Sequence, residues 1–179
     1  MIYSALYPSP IGTLTLECDD SSLVGVWLEG QKYREPGSNA TLRESDDAPI
    51  LKAAKAWLDG YFAGKAPDVS ALPLAPVGSD FRREVWRLLC DIPYGTVVTY
   101  GDIAKKMAAW AGKAKMSAQA VGGAVGHNPI SIIIPCHRVV GANGSLTGYG
   151  GGIARKIKLL QHEGVDTSRL FAPKKGTAL

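Results

Sequence analysis

Residues able to do covalent chemistry gather in one stretch of the chain, Asn128-Pro129-Ile130-Ser131-Ile132-Ile133-Ile134-Pro135-Cys136-His137-Arg138-Val139-Val140-Gly141. A cysteine attacks carbon as its thiolate, and an ordinary thiol with a pKa of about 8.5 is mostly protonated at neutral pH. A neighbouring base is therefore needed, and His137 follows Cys136 directly. Pro135 fixes its own φ and pushes Ile134 into an extended conformation, so the reading is an apolar strand delivering Cys136 to a fixed point. Side chains of adjacent strand residues point to opposite faces. Contact between Cys136 and His137 thus requires a turn or a bridging water. An isolated cysteine in such a run reads as a buried core thiol, and the Pro-Cys-His-Arg cluster turns the reading towards a nucleophile. Glu163 is the candidate third member. A carboxylate in the last turn of a helix faces the negative end of the macrodipole, and an imidazole partner would compensate it while orienting the ring. From local sequence alone Glu163 fits a solvated surface carboxylate equally well.

The elements that must position these residues fall into two groups. Met1–Tyr7, Thr13–Cys18 and Leu23–Leu28 read as strands separated by turns at Pro8–Gly12 and Asp19–Ser22. Gly30 to Asp47 reads as a polar loop. Pro49 to Phe62 reads as a helix, with Ile50, Leu51, Ala54, Trp57, Leu58 and Tyr61 at three and four spacing. Lys65 to Ser79 holds Pro67, Pro73 and Pro76 and is the candidate linker. Beyond it the pattern is helical. Asp80 is placed to cap a helix over Phe81–Cys90, Thr96–Thr99 is β-like, and Asp102–Ala109 is a helix. Ser117 then caps Ala118–Val125, with Gly126 just past its end, and Ile153–Glu163 is closed by Gly164. In the Ala118–Val125 helix the expected inward stripe is Ala118, Val121, Gly122 and Val125, leaving Gln119, Ala120, Gly123 and Ala124 outside. A face of small residues can enter a narrow groove, and equally lets helices pack closely. The expectation is an α/β N-terminal domain over 1–76 (a small antiparallel sheet plus a helix). A mostly α, winged-helix-like domain with a helix-turn-helix follows over 77–166, and then a tail over 167–179.

Composition narrows the classes. The chain has 179 residues, 46% hydrophobic and 20% charged, the profile of a soluble globular protein. No apolar run reaches membrane-span length and the first residues do not read as a signal peptide, so the expected location is the cytoplasm. A net charge of +4 with pI about 9.0 permits a polyanionic partner without requiring one. Three widely spaced cysteines, Cys18, Cys90 and Cys136, form no zinc pattern with His127, His137 and His162. No nucleotide-binding glycine loop is present, and no metal or cofactor is called for.

Pro135-Cys136-His137-Arg138-Val139, preceded by Asn128-Pro129 and by Ala120-Val121-Gly122-Gly123-Ala124, closely resembles the O6-methylguanine-DNA methyltransferases. The resemblance is tightest from about Phe81 to Gly164. It implies a small α/β domain followed by a helical domain whose helix-turn-helix enters the DNA minor groove. It implies flipping of a damaged nucleotide and irreversible transfer of its O6-alkyl group (or O4-alkyl group, for thymine) to Cys136. The partner it implies is double-stranded DNA carrying the lesion, met by a monomer. It further implies His137 as a base acting through water, supported by Glu163, and Asn128 as the hinge between recognition helix and active-site segment. Tyr100 would crowd the rotating phosphate and donate to the flipped base. Tyr149, Gly150, Val139 and Lys156 would line the substrate site. Ser117, Gln119, Ala120, Gly123 and Arg138 would meet DNA, with Lys113, Lys115, Arg155 and Lys156 candidates for phosphate contacts. Gln119 stands where the family usually carries an arginine that fills the gap left by the flipped base. The alternatives from other classes are a non-catalytic alkyltransferase-like lesion-binding module, a Cys-His hydrolase and a DNA-binding regulator with a structural cysteine.

Overall fold

In the structure, a computed structural model describing residues 1–34 and 42–173, strands β1 (Ile2–Ser9), β2 (Gly12–Cys18) and β3 (Leu23–Leu28) form an antiparallel meander. Alternation along β1 and β2 turns Ala5, Tyr7, Leu14 and Leu16 inward, the period-two pattern of a sheet with one covered face. A short strand β4 (Leu42–Glu44) adds to β1 in parallel, giving the order β3-β2-β1-β4. The sheet is therefore mixed where an antiparallel one was expected. All three β4 residues are exposed. Its pairing is carried by the backbone, and it lies in a stretch without apolar alternation. The part of the expected loop around Pro36 and Gly37 lies outside the described residues, as does the tail from 174 onward.

Helix α1 (Pro49–Phe62) buries Leu51, Ala54, Trp57, Leu58 and Tyr61 against the sheet. Its proline occupies the first turn, where a missing N–H costs nothing. The proline-rich stretch that follows is not a free linker. The Leu23 amide donates to Pro73 O and the Ala75 amide to Leu23 O, so it lies along the edge of β3.

In the second half, helix α2 (Asp80–Cys90) is capped by Ser79, whose hydroxyl accepts from the Arg82 amide. Asp80 is instead the first helical residue, because Ser79 holds the extended backbone that a cap requires. Strand β5 (Val98–Thr99) precedes helix α3 (Tyr100–Trp110). This helix begins two residues earlier than the sequence pattern suggests, since Thr99 and Asp102 form a reciprocal capping box. Helix α4 (Ala118–Gly126) starts at the Ser117 cap and packs on α3 and α2. Strand β6 (Val139–Val140) pairs with β5 in parallel. Helix α5 (Ile153–His162) ends at Glu163 and Gly164. Phe171 in the expected tail pairs its backbone with Gly144 and Leu146. No helix among the described residues is long and apolar enough to cross a membrane.

The inward stripe of α4 differs from expectation at two positions. Ala118 is exposed and Ala124 buried. Ala118 belongs to the free first turn, whereas Ala124 faces α2 and its carbonyl accepts the buried indole N–H of Trp86 at 2.8 Å.

Candidate active site

The apolar run leading to Cys136 is not a regular strand. Ile130 bridges to Val26 on β3, with the Val26 amide donating to Pro129 O and the Ser131 amide to Val26 O. Ile132 then sits at φ 72°, a left-handed conformation uncommon for a β-branched residue. The Ile134 amide folds back to Ile130 O. Pro135 leads into a single 3-10 turn over Cys136–Arg138. A turn therefore stands where a strand was expected, and no hydrogen bond joins the Cys136 sulfur to the His137 ring among the described residues.

Asn128 follows α4 directly and holds this turn. Its Nδ2 donates to Ile134 O at 2.8 Å and to Cys136 Sγ at 3.1 Å, while its Oδ1 accepts the Ile130 amide at 3.0 Å. The hinge position implied by the resemblance is therefore physically a three-way tie between α4, the turn and the sulfur. From the N-terminal half, Gln31 donates to Asn128 O and accepts from Ser131 Oγ.

Cys136 is only 4% exposed. Burial pushes its thiol up, opposed by the Asn128 hydrogen bond and by the Lys156 charge. Lys156 is fully buried. Its ammonium donates to Val139 O and to Thr147 O and lies 5.9 Å from the Tyr100 ring centroid. Desolvation brings it down to about 8. Tyr100 donates to Thr147 O at 2.6 Å, and burial keeps its phenol protonated. Tyr149 is buried near the sulfur, and its hydroxyl has no hydrogen-bond partner among the described residues. The loop carrying it needs glycine twice. A Cβ at Gly148, where φ is +81°, would lie 2.2 Å from the Tyr100 hydroxyl. One at Gly151 would lie 2.3 Å from Leu28 and 2.7 Å from the Tyr149 ring.

His137 and Glu163 meet as expected: Nε2 lies 2.6 Å from Oε1, both side chains fully buried. Glu163 also accepts from Tyr61 Oη at 2.7 Å, from Arg138 at 2.9 and 3.0 Å, and from the Gly95 amide at 3.1 Å. Burial alone would raise its pKa, but the bonds from His137 and Arg138 hold it well below the usual carboxylate range. His137 is lowered by desolvation despite this partner. Burial thus favours the neutral ring. With Nε2–H assigned to the carboxylate, Nδ1 is the lone-pair nitrogen, and it has no partner among the described residues. Neither charge is favoured in so dry a site.

Three basic residues expected at DNA have internal partners in the structure. Arg138 is 6% exposed. It pairs with Glu163, donates to Ile92 O and lies over the Tyr94 ring, so the buried carboxylate has an internal counter-charge. Lys156 is in the core, as described. Arg155 donates to three backbone carbonyls, Ile11 O, Glu29 O and Gly151 O. Lys113 and Lys115 are exposed ahead of α4, as are Ser117, Gln119 and Ala120, and Gly123 is half-buried. Tyr61, Gly95, Ile92 and Gln31 also hold the site, and nothing in their local sequence marks them, since their partners lie 46 to 102 residues away.

Comparison with known proteins meets this geometry. Residues 2–76 match the ribonuclease-like domain of the 6-O-methylguanine DNA methyltransferase family, and residues 80–165 match its DNA-binding domain. The chain is 50% identical over 167 residues to the methylated-DNA--protein-cysteine methyltransferase of Shigella flexneri, covering 87% of this chain and 92% of the relative. It is 43% identical over 163 residues to that of Mycobacterium tuberculosis, covering 91% and 93%. The crystal structure of Mycobacterium tuberculosis OGT in complex with DNA superposes with a TM-score of 0.79 at 42% identity, covering 94% of each chain. With both domain models matched across nearly the whole described chain, this protein belongs to the 6-O-methylguanine DNA methyltransferase family.

Proposed function

We propose that the protein repairs DNA by moving an alkyl group from O6 of guanine, or O4 of thymine, onto Cys136 in a single irreversible event. The observation that carries this reading is the buried thiol tied to Asn128, beside an imidazole whose other nitrogen is fixed by Glu163. Sγ attacks the alkyl carbon, the C–O bond breaks and its electron pair returns to the base. The thiol proton passes through a bound water to Nδ1 of His137, and Glu163 stabilises the imidazolium that forms. The departing base anion is met by the Tyr100 hydroxyl and takes up a ring proton from solvent. A thioether offers no ready reversal, so each molecule reacts once. Among the candidate residues, Tyr149, Gly150, Val139 and Lys156 shape the base pocket. Double-stranded DNA is the partner, as in the mycobacterial complex, and the small-residue face of α4 with Ser117, Gln119, Ala120 and Gly123 enters the minor groove. Residues 77–166 carry this chemistry, and 1–76 support it. The protein acts as a monomer in a reducing cytoplasm that suits its three free cysteines. A lesion-binding module without transfer is disfavoured because the acceptor thiol and its base are both in place.

Incubation with an O6-methylguanine duplex is expected to add one methyl mass to the peptide containing Cys136, at no more than one equivalent. Cys136→Ser should abolish transfer while changing DNA affinity by less than about twofold. Repeated turnover, or methylation at another residue, overturns the reading.

A further inference from the structure

Cys136 is nearly closed to solvent, so a flipped base reaches the sulfur only if the wall above it yields. Tyr149 is buried within electrostatic reach of the sulfur, and its hydroxyl has no hydrogen-bond partner among the described residues. The loop that carries it is fastened from both sides. On the N-terminal side the Lys32 amide donates to Gly150 O at 3.0 Å, and Leu28 leaves no room for a Cβ at Gly151. From α5, Arg155 reaches across. Its Nε donates to Ile11 O at 3.1 Å, and its Nη1 donates to Glu29 O at 2.7 Å and to Gly151 O at 3.3 Å. Those acceptors belong to the β1–β2 turn, the turn after β3 and the pocket loop. No carboxylate pairs with Arg155 among the described residues. A guanidinium satisfied by carbonyls of three segments is a geometric tie, since its fork fixes the angles between the chains it joins.

We infer that Arg155 is a positioning residue for alkyl transfer, locking the Tyr149–Gly152 loop onto the N-terminal domain and so setting how far the pocket opens and how large an alkyl group it admits. Arg155 touches neither the sulfur nor the base. It acts through the loop, and it restrains the opening that substrate entry requires. Loss of charge-assisted bonds at such a tie raises the open population of the loop without unfolding the domain. The inference rests on the alkyl-transfer reading for its kinetic consequence, but its structural part stands apart from that reading.

The test uses the full chain with Arg155→Met and Arg155→Lys. Labelling of Cys136 by iodoacetamide, read by peptide mass, should rise about fivefold to tenfold in Arg155→Met and less in Arg155→Lys. Cys18 and Cys90 should label as in the parent. Hydrogen exchange should quicken in residues 147–152 and not in α2 or β1. With oligonucleotide substrates, the ratio of O6-benzyl to O6-methyl transfer rates should rise in the same order. Unchanged Cys136 labelling and loop exchange would overturn the inference. So would exchange quickened throughout the N-terminal sheet, which would make Arg155 a general interdomain contact. A parent protein that takes no alkyl group from either oligonucleotide would instead defeat the functional reading, while the labelling and exchange results would still decide the role of Arg155.

Discussion

The Glu163 cluster and the outer face of α4 are opposites in construction. Around Glu163, every donor within reach of a buried carboxylate is aimed at it, from α1, the turn before β5 and the 3-10 turn. On α4, Gln119 and Ala120 stand in solvent and Gly123 carries no side chain. The first region is committed to one arrangement before any substrate arrives. The second is bare of bulky side chains. Chemistry that moves a proton needs the first kind of site, because preorganised dipoles lose nothing to rearrangement when charge develops. Approach to a polyanion needs the second, because shape decides what fits in a groove.

If that contrast is right, the largest effects belong to the cluster. Glu163→Gln leaves Arg138 as a buried cation without its counter-charge and should cost about 3–5 kcal/mol of stability. In the fraction that folds, it should slow alkyl transfer by about a hundredfold or more. Urea unfolding and single-turnover kinetics measure the two, and a variant within about 1 kcal/mol of the parent would show that the cluster is not the dense centre described.

A smaller effect concerns pH. His137 is held below its ordinary value, so its loss as a base falls on the acid side of about 6.5. Lys156 loses its charge near 8, and with it the cation that favours a sulfur anion. The transfer rate should therefore pass through a maximum between these limbs and drop by about tenfold towards either side. For stability the sign is set by Glu163. Its folded pKa lies below its unfolded one, so its contribution is complete above the unfolded value of about 4.3 and is lost as pH falls below it. A rate that climbs without a maximum from pH 6 to 10 would remove Lys156 from the electrostatics.

The smallest effect belongs to the bare surface. Gln119→Arg should tighten duplex binding a few-fold and steepen its salt dependence by about one counterion, with no change in melting temperature. A melting shift of several degrees would mean that the α4 face is part of the structural core after all.

The two regions also differed in how far sequence could reveal them. Cys136, His137 and Glu163 were legible because reactive residue types are rare and fall in a recognisable order, and the structure joins His137 to Glu163. Helix α1 was legible to its last residue because five buried side chains repeat at helical spacing. Arg138 was not legible. A charged residue in a basic chain reads as surface, and only the fold shows the carboxylate waiting for it. Tyr61, Gln31 and Arg155 act on partners 97 to 144 residues away, and no local pattern carries that information. Strand β4 has no apolar alternation to announce it. The left-handed Ile132 is invisible because nothing in its residue type favours that conformation. The same physics that hides these features makes them supports for the site: each is imposed by tertiary contacts against local preference.

The bond from Tyr61 to Glu163 has a consequence for modularity. A tyrosine of the first half donates to the carboxylate that holds His137 in the second, and the edge of β3 completes the backbone that leads to the cysteine turn. The two halves are therefore not exchangeable parts. A chimera that joins the second half to a foreign first half would inherit the motif yet lack a phenol over the carboxylate and a strand edge behind Ile130, and its histidine would sit loosely beside an intact cysteine.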